Sequence, residues 1–431
     1  MEIAIFNNKN KFGKIKKLIR SILKHTYTYI YINIIMMRLQ DEENITLNII
    51  NKGKRITINK LTFPAMYLRD NCPKVFHSTT FHREMPVWNL PNDLRIVKAK
   101  YIGNGIIRII YSDGYSSDMP LDFLQKNSTN NFHTRSYEII SKLKPWKAKD
   151  MKPNGLPLYN FEEIMQNDNV LLNFINTLTS DGIAKLYNCK AIPGQLDKII
   201  KRVGFIRETN YGKIFEVRIE KNALNQAYTA EELPLHTDLP FYSNPPGVQI
   251  LHCIVQSENI NGGGSSTLAD GLAVANKMKQ IKPRLYRRLV ESKVVFADKA
   301  NNGEFYMKWE RPIINENNGI PCEVNYNNHV RGKELNLNVD EMEEMYEALR
   351  LFGELAHSNE FMYKTRLKPG EMIAFSNRRI LHGRSEIVSS KNSSRWLQGA
   401  YVDLDEVYSK QRCLVGINND GEERGSTISK L

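Results

Sequence analysis

The chain of 431 residues is poor in cysteine, glycine and proline, and it lacks long hydrophobic runs. Its five cysteines are widely scattered, and an odd, scattered set does not build a disulfide framework, so we expect a reducing compartment. Glycine (25) and proline (17) are too few for a collagen-like or low-complexity protein. No apolar run reaches the roughly 18 to 20 residues that cross a bilayer, which argues against an integral membrane protein.

Acidic residues are outnumbered by basic ones. The chain has 60 Lys and Arg against 47 Asp and Glu, which gives a net charge of +13 at pH 7. Eight of the basic residues and one acid, Glu2, lie in residues 1–40, so about half of the excess is local. No RNA-recognition, helix-turn-helix or zinc-finger pattern accompanies this charge. We therefore expect a solvated basic surface and no nucleic-acid partner.

Residues 1–40 form a compositional zone of their own. Basic side chains between Lys9 and Lys24 precede an apolar stretch at 27–37, which is too short to cross a membrane. A basic start that is poor in acids is typical of a mitochondrial presequence. A disordered extension, or a segment upstream of a second start at Met36 or Met37, would have the same composition.

The rest of the chain divides into a small and a large domain. Residues 43–126 contain short runs rich in Ile, Val and Tyr between Gly and Asn turns, which predict strands at 45–50, 55–58, 94–101 and 105–111. We predict a small, β-rich N-terminal domain there. Residues 127–157 are polar and basic with three prolines. They are predicted to be a linker, followed by a large domain at 158–420 and a tail at 421–431.

The large domain alternates strand-like runs with a few helices. Asn160 with Glu163, and Asn338 with Glu341, have the spacing of an N-cap and its returning carboxylate. They predict helices from 161 towards 172 and over 339–357, and a further helix is predicted near 194–203. Strands are predicted at 247–255, 293–297, 371–375 and 396–402. This pattern predicts a mainly β fold with flanking helices.

His236 and Asp238 are candidate metal ligands in the segment Pro-Leu-His-Thr-Asp-Leu-Pro at 234–240. Residues i and i+2 of a strand point to the same face, so these two side chains can converge on one ion. His382, after the predicted strand 371–375, offers a second imidazole. Two His and one carboxylate form the facial triad that binds Fe(II) and leaves three coordination positions open.

Arg395 lies thirteen residues after His382, at the start of the predicted strand 396–402. A 2-oxo acid such as 2-oxoglutarate chelates iron through its keto-acid end, so its distal carboxylate needs a fixed cation. The planar guanidinium provides two parallel donors for a carboxylate. His-x-Asp alone occurs by chance in many proteins, but the order His-x-Asp, His and Arg is far more specific.

Four segments together carry a family resemblance. They are His-Thr-Asp at 236–238, Pro-Pro-Gly-Val-Gln-Ile-Leu-His-Cys at 245–253, Leu-His-Gly-Arg at 381–384 and Ser-Arg-Trp-Leu-Gln-Gly-Ala-Tyr at 394–401. They resemble the γ-butyrobetaine and trimethyllysine dioxygenase family of Fe(II)/2-oxoglutarate oxygenases, most closely the γ-butyrobetaine branch. The resemblance covers residues 43–415. It implies hydroxylation of γ-butyrobetaine at C3 to L-carnitine, with release of succinate and CO2.

The resemblance also implies a fold and a set of cofactors. The large domain is expected to be a double-stranded β-helix, or jelly roll, in which His236, Asp238 and His382 hold Fe(II) and no side-chain acid or base is required. The co-substrate 2-oxoglutarate, used with O2, is expected at Arg395. A hydroxyl that helps to hold it is expected from Ser266 or, one register away, from Thr267. Ascorbate as an auxiliary reductant and a homodimer are further implications.

The resemblance implies an aromatic cage for the trimethylammonium group of the substrate. A quaternary ammonium has no N–H to donate, so aromatic faces recognise it, each with about 0.5 to 2 kcal/mol when desolvated. The four positions that match the family's cage are Tyr211, Phe215, Tyr228 and Tyr401. Phe215 replaces the family's Trp, which leaves trimethyllysine or another trimethylammonium compound open as the substrate.

Asn225 and Asn327 are expected to bind the carboxylate of the substrate. Trimethyllysine enzymes place an Asp eleven residues before the first iron-binding His, where this chain has Asn225. A neutral amide can donate to a carboxylate without the repulsion that an Asp would impose. Asn225 therefore favours γ-butyrobetaine over trimethyllysine, and Asn327 matches a second amide with the same role.

The N-terminal domain departs from the family at its structural zinc site. The family binds zinc there through three Cys and one His, but only Cys72 remains in this chain. Lys74 and His77 occupy the next two Cys positions, and no His lies near Tyr115. A structural zinc site has four ligands, so we expect no zinc, with Cys72 and His77 as remnants.

The sequence leaves localisation and activity open to alternatives. The γ-butyrobetaine branch is cytosolic and the trimethyllysine branch is mitochondrial. We expect a cytoplasmic enzyme, with the basic residues of 1–40 as the argument for mitochondria. A catalytically inactive binding protein is the alternative from another class, and the intact triad and Arg395 argue against it.

Overall fold

The computed structural model describes residues 45–128, 142–151, 155–218, 231–256, 263–300, 303–387 and 395–419. The chain divides into two compact units, Met1–Glu138 and Ile139–Leu431. The predicted leader at 1–40 and the predicted tail at 421–431 lie outside the described residues. No helix within the described ranges combines the length and the apolar character that crossing a membrane requires.

Within residues 45–128, the first unit consists of two three-stranded antiparallel sheets and two short helices. Its elements are β1 (Leu47–Ile50), β2 (Arg55–Ile58), β3 (Leu61–Pro64), α1 (Ala65–Asp70), β4 (Ile96–Tyr101), β5 (Ile106–Tyr111), β6 (Ser116–Pro120) and α2 (Leu121–Lys126). The sheets have the orders β1-β2-β3 and β4-β5-β6. Alternate residues of β5, Ile107, Ile109 and Tyr111, are buried in one core, because side chains alternate between the faces of a strand.

The second unit combines two larger sheets with helices. Its elements are β7 (Leu158–Asn160), α3 (Phe161–Gln166), α4 (Asp168–Ser180), β8 (Ile183–Tyr187), α5 (Gln195–Val203), β9 (Ile206–Arg207), β10 (Phe215–Arg218), β11 (Leu233–His236), β12 (Val248–Val255), β13 (Ser266–Asp270), α6 (Gly271–Ile281), α7 (Pro283–Glu291), β14 (Lys293–Lys299), β15 (Tyr306–Pro312), β16 (Ile314–Asn317), β17 (Ile320–Val324), α8 (Val339–His357), β18 (Tyr363–Thr365), β19 (Met372–Ser376), β20 (Ile380–Arg384), β21 (Trp396–Val402) and α9 (Leu404–Asn419). The first sheet has the order β10-β21-β12-β19-β8-β7, with β9 also paired to β21, and the second has the order β11-β20-β13-β18. Strands β14 and β15 pair as a separate ribbon, and so do β16 and β17.

The two larger sheets face each other across a buried cluster. In β19, Ile373 and Phe375 share this cluster with Ile380 of the second sheet. The intervening residues, Met372 and Ala374, pack instead in a cluster with residues of helices α3, α4, α5 and α9. This alternation is the period of two that a strand imposes, and it leaves one face of each sheet directed at the space between them.

Residues 142–151 and 155–157 of the predicted linker are packed into the second unit, so the linker prediction is wrong for them. Trp146, Met151 and Leu156 are buried in the same cluster as Ile373. The backbone N–H of Trp146 donates to the carboxylate of Asp270, and its indole N–H donates to a carbonyl. The prediction failed because the average composition of 127–157 hides three widely spaced apolar residues.

Helix caps were the most reliable local features. The capping box at Asn338 is confirmed, since its Oδ1 accepts from the Glu341 N–H at 3.0 Å and a Glu341 carboxylate oxygen accepts in return at 3.1 Å. Asn160 also caps a helix, through the N–H of Glu162. That helix ends at Gln166, however, because Asn167 caps a second one, α4. Helices α6, α7 and α9 were not predicted.

Candidate metal centre

Strands β11 and β20 bring the three predicted iron ligands together. The strands are antiparallel neighbours, and His236 at the end of β11 is paired with His382 in the middle of β20. Asp238 lies two residues after the end of β11, before the chain turns at Leu239, which has a positive φ of 55°. The pairing of two strands that are distant in sequence therefore builds the cluster.

The three ligand side chains lie at distances that suit one ion. Their ligand atoms all lie within 4.8 Å of one another. His236 Nε2 is 3.1 Å from Asp238 Oδ1, and His382 Nε2 is 3.5 Å from Oδ2 of the same carboxylate. Both imidazoles are more than nine-tenths buried. Among the residues that the structure describes, this is the only group of three or more His, Cys, Asp or Glu side chains that could hold a metal.

Hydrogen bonds to neighbouring groups orient the ligands. His236 Nδ1–H donates to the carbonyl of Pro234 at 2.8 Å, which fixes the ring so that Nε2 faces the carboxylate of Asp238. The hydroxyl of Tyr401 donates to Asp238 Oδ2 at 2.7 Å. Each of these bonds fixes a ligand in an orientation that a metal would require.

Asn377 holds the backbone of the ligand segment, and sequence reasoning missed it. Its side chain is fully buried. Its Oδ1 accepts from the Asp238 N–H at 2.7 Å, and its Nδ2 donates to the carbonyls of Asp238 at 2.9 Å and Pro246 at 3.1 Å. An Asn directly after the fully buried strand β19 was the available sign, since a buried amide needs partners.

The charges of the three ligands are tightly linked. Burial raises the pKa of Asp238, but the neighbouring His382 and His236 outweigh burial and hold this pKa well below its usual range. Burial lowers the pKa of His382. Burial acts in the same sense on His236, but the hydrogen bond with Asp238 and its charge raise the pKa overall. An ionised carboxylate between two imidazoles is the donor set that fits Fe(II).

Three of the four predicted cage residues lie in one cluster beside the metal ligands. Phe215 and Tyr401 stack with ring centroids 5.2 Å apart and planes at 29°. Phe215 covers its cross-strand partner Gly399, where a Cβ would come within 2.1 Å of the ring. Tyr211 and Phe215 are half-buried against the core cluster that contains Tyr401. Tyr228 lies outside the described residues.

One of the two predicted carboxylate-binding amides can be placed. Asn327 is buried, its Nδ2 donates to the carbonyl of Thr237 at 3.2 Å, and its Oδ1 accepts from the His329 N–H at 3.0 Å. An amide NH2 carries two hydrogens, so Asn327 retains the capacity for one more donor bond. Asn225 lies outside the described residues.

Arg395 is half-buried and lies close to two other arginines. Burial and the like charge of Arg384 and Arg366 lower the pKa of Arg395 to about 10. Its Nε has no hydrogen-bond partner among the described residues. A partly desolvated cation without an anion among the described residues is unfavourable, so this environment is typical of a site that receives an anionic ligand. The sequence predicted Arg395 but neither of its two neighbours.

The two predicted hydroxyl residues occupy opposite faces of β13. Ser266 is paired with Arg384, and Leu268, two residues later, is paired with His382, so these side chains share one face. Thr267 lies on the other face, where a Cβ on Gly383 would come within 2.8 Å of its Oγ1. The prediction for Thr267 is therefore wrong, because its side chain points away from the face that carries His382.

The first unit shows other partners for the two remnants of the zinc site. Cys72 is fully buried, with its Sγ 3.8 Å from the hydroxyl of Tyr115. The guanidinium of Arg69 lies 3.4 Å from the centroid of the same Tyr115 ring. His77 Nδ1 forms a hydrogen bond of 3.1 Å with the hydroxyl of Thr79. The absence of zinc stays a prediction.

Comparison with known proteins gives the class of this fold and site. The model of the taurine catabolism dioxygenase TauD, TfdA family matches residues 142–401. This range covers more than half of the chain, and the chain belongs to this family of dioxygenases.

The chain is also similar to particular dioxygenases over most of its length. The chain is 32% identical over 351 residues to the γ-butyrobetaine dioxygenase of Pseudomonas sp. (strain AK-1), covering 81% of this chain and 89% of the relative. It is 31% identical to the γ-butyrobetaine dioxygenase of Homo sapiens, covering 82% and 91%. The mitochondrial trimethyllysine dioxygenase of Bos taurus is 28% identical, covering 83% of each chain. The family resemblance drawn from the four sequence segments is confirmed.

Proposed function

We propose that the protein is an Fe(II)- and 2-oxoglutarate-dependent dioxygenase that hydroxylates γ-butyrobetaine at C3 to L-carnitine. The observation that carries the proposal is the cluster of His236, Asp238 and His382 beside the stacked rings of Phe215 and Tyr401. Two relatives named γ-butyrobetaine dioxygenase, each above 30% identity, support the choice of substrate.

His236, Asp238 and His382 hold the iron in this proposal. When bound, Fe(II) with 2-oxoglutarate and O2 supplies the oxidant that hydroxylates a C–H bond, with succinate and CO2 as co-products. The residues of the protein move no proton in this step. They position C3 of the substrate and keep water out, which is the larger part of their contribution. Ascorbate is the proposed auxiliary reductant.

Arg395 binds the distal carboxylate of 2-oxoglutarate. Its partly desolvated position, without an acidic partner among the described residues, supports this role, because a dicarboxylate would supply the missing negative charge. Ser266 donates its hydroxyl to the same ligand, since it shares the face of the sheet that carries His382.

Four aromatic residues surround the trimethylammonium group of the substrate: Tyr211, Phe215, Tyr228 and Tyr401. Two amides, Asn225 and Asn327, bind the carboxylate at its other end. Phe215 in place of Trp provides a weaker cation–π partner. This residue, together with the 28% identity to a trimethyllysine dioxygenase, makes a hydroxylase of trimethyllysine or another trimethylammonium compound the second candidate. The intact triad disfavours a non-catalytic paralogue.

The finer features of fold, assembly and location are part of the proposal. The second sheet, which carries the ligands, shares a buried cluster with the first sheet, and this arrangement supports a double-stranded β-helix in the second unit. The first unit is proposed to be the small β-rich N-terminal domain. We further propose a homodimer, to be tested by light scattering. The proposed location is the cytoplasm, with mitochondria as the alternative; fractionating a C-terminally tagged protein and sequencing its mature N-terminus distinguishes them.

The central experiment compares two substrates with the purified protein. Protein, Fe(II), ascorbate and 2-oxoglutarate are incubated in air with γ-butyrobetaine or with trimethyllysine, and succinate and hydroxylated product are measured by mass spectrometry. We expect L-carnitine and equimolar succinate from γ-butyrobetaine, and neither product from the His382→Ala variant. Turnover of trimethyllysine without turnover of γ-butyrobetaine would refute the choice of substrate.

A further inference from the structure

We propose that Asp298 is a specificity-determining residue, whose carboxylate makes the aromatic cluster selective for a cationic ammonium group over a neutral group of the same shape. The inference rests on the proposed function, in which this cluster receives the trimethylammonium end of the substrate. Neither the sequence pattern of the cage nor the metal centre includes Asp298.

Asp298 occupies a position where a strand normally carries an apolar residue. Strand β14 buries Val294 and Phe296 completely in the core cluster that also contains Tyr401. Side chains two residues apart share a face, so Asp298 continues the same inward row. It lies near the end of β14, half-buried. An acid in an inward row is costly unless something compensates its charge.

Asp298 is linked to the aromatic cluster by a hydrogen bond. The hydroxyl of Tyr211 donates to Asp298 Oδ2 at 3.3 Å, and the backbone N–H of Lys299 donates to Oδ1 at 2.9 Å. Among the described residues, no Lys, Arg or His nitrogen lies within the 4.0 Å of an ion pair from this carboxylate. Within the described ranges, the charge is therefore stabilised by two dipoles and not by a cation.

The carboxylate favours a cation at the cluster in two ways. A phenol that donates to an anion gains electron density on its ring, which strengthens the attraction between the Tyr211 ring and a cation. The negative charge also attracts a cation directly across a partly desolvated space. A quaternary ammonium has no N–H and cannot form a hydrogen-bonded ion pair with a carboxylate. The carboxylate of Asp298, held by Tyr211, can instead attract the cation through its charge and through the Tyr211 ring, without direct contact. A neutral tert-butyl group gains nothing from either effect.

The test compares γ-butyrobetaine with 5,5-dimethylhexanoate, in which a quaternary carbon replaces the quaternary nitrogen. Binding to the Fe(II)- and 2-oxoglutarate-loaded protein is measured by calorimetry without O2, so that no turnover occurs. In Asp298→Asn, which keeps an oxygen for Tyr211 but removes the charge, we expect the Kd of γ-butyrobetaine to rise about tenfold. The Kd of the neutral analogue should change by less than about twofold, since it carries no charge at that end.

Two further variants separate the charge from other effects. Glu310→Gln removes a carboxylate from the same ribbon, where Glu310 pairs with Lys293 at the surface, and should leave both Kd values unchanged. Tyr211→Phe keeps the ring and Asp298 but removes the hydrogen bond, and should weaken only the binding of the cation. If Asp298→Asn is insoluble, Tyr211→Phe decides the question with the same pair of ligands.

The outcomes separate this inference from the proposed function. If Asp298→Asn weakens the binding of both ligands equally, Asp298 is merely a structural residue. If it weakens the binding of neither, Asp298 has no role in binding. Both results overturn the inference. If the wild-type protein does not hydroxylate γ-butyrobetaine but does hydroxylate trimethyllysine, the proposed function fails. The role of Asp298 is then tested with trimethyllysine and its quaternary-carbon analogue.

Discussion

Asn377 satisfies a combination of groups that only an amide can satisfy. It faces one backbone N–H, of Asp238, and two backbone carbonyls, of Asp238 and Pro246. An Asp at this position would offer no donor to the carbonyls, and an apolar residue would leave all three buried groups without partners. The residue therefore determines the path of the chain at the metal-binding carboxylate, although it would not touch the metal.

The variant Asn377→Ala should bind iron more weakly and be less stable. Loss of a partner that orients a ligand typically reduces metal affinity by about 10- to 100-fold. The unsatisfied backbone groups should lower the free energy of unfolding by about 1–3 kcal/mol. Metal titration and urea unfolding measure the two effects separately.

The matched control for this variant is Asn325→Ala. Asn325 is also buried; its Nδ2 donates to the carbonyl of Pro312 at 3.1 Å and its Oδ1 accepts from Arg311 at 3.5 Å, and neither partner is a metal ligand. Its loss should reduce stability without changing metal affinity. Equal metal affinities in the two variants would contradict the role given to Asn377.

The variant Arg395→Lys should bind 2-oxoglutarate poorly even though the charge is retained. Lysine lacks the planar fork that holds a carboxylate through two parallel bonds, so the KM for 2-oxoglutarate should rise about 10- to 100-fold. Succinate formation measures this, and the Kd of γ-butyrobetaine should be unaffected. Arg108→Lys, in an exposed pair with Asp118 of the first unit, is the control and should leave KM unchanged.

Strand β20 contributes two residues to the site. One is the ligand His382, and the other is Gly383, which has no side chain. Gly383 lies against β11, and a Cβ on it would come within 2.4 Å of the carbonyl oxygen of Leu233 and 3.1 Å of the carbonyl carbon of Pro234. Backbone atoms cannot move aside as a flexible side chain can. Glycine therefore permits the close approach of the two strands that carry the ligands.

The variant Gly383→Ala should lose metal binding by displacing β11. A methyl group in a tightly packed place costs about 1–3 kcal/mol, and here the strain falls on the strand that carries His236. We expect a lower free energy of unfolding together with a loss of metal affinity, measured by denaturation and metal titration. Gly332→Ala, whose Cβ would meet only the side chains of Glu334 and Val295, should keep its affinity for metal. Retention of normal metal affinity in Gly383→Ala would show that β11 does not need this approach.

Elements with strong local patterns could be predicted from the sequence, and contacts between distant strands could not. Helix α8 and strand β21 have the predicted bounds, because a capping box and a short, largely apolar run are local properties. Neighbouring residues of a strand always point to opposite faces, but which of Ser266 and Thr267 shares the face of His382 depends on the register of β13 against β20, which no local pattern contains. Asn377 and Asp298 were missed for the same reason, since their importance lies in partners that are far away in the chain.

At the scale of the whole chain, we expect apolar packing to hold the first unit together without a metal. Its buried cluster draws side chains from both three-stranded sheets and from helix α1, and Cys72 is a fully buried member of it. A buried free cysteine packs as a small hydrophobic residue. The neighbouring ring of Tyr115, covered by Arg69, occupies the region next to its sulfur.

The purified protein should therefore contain no zinc in its first unit. The iron site itself can bind zinc, so the measurement uses a His236→Ala, His382→Ala double variant grown with added zinc and analysed by mass spectrometry for metals. We expect far less than one zinc per chain, because a structural site needs four converging ligands and Cys72 has no such companions among the described residues. Stoichiometric zinc that disappears when Cys72→Ala is added would prove the expectation wrong. If the first unit contains no zinc, chelators should leave its unfolding unchanged, because packing alone would hold this unit together.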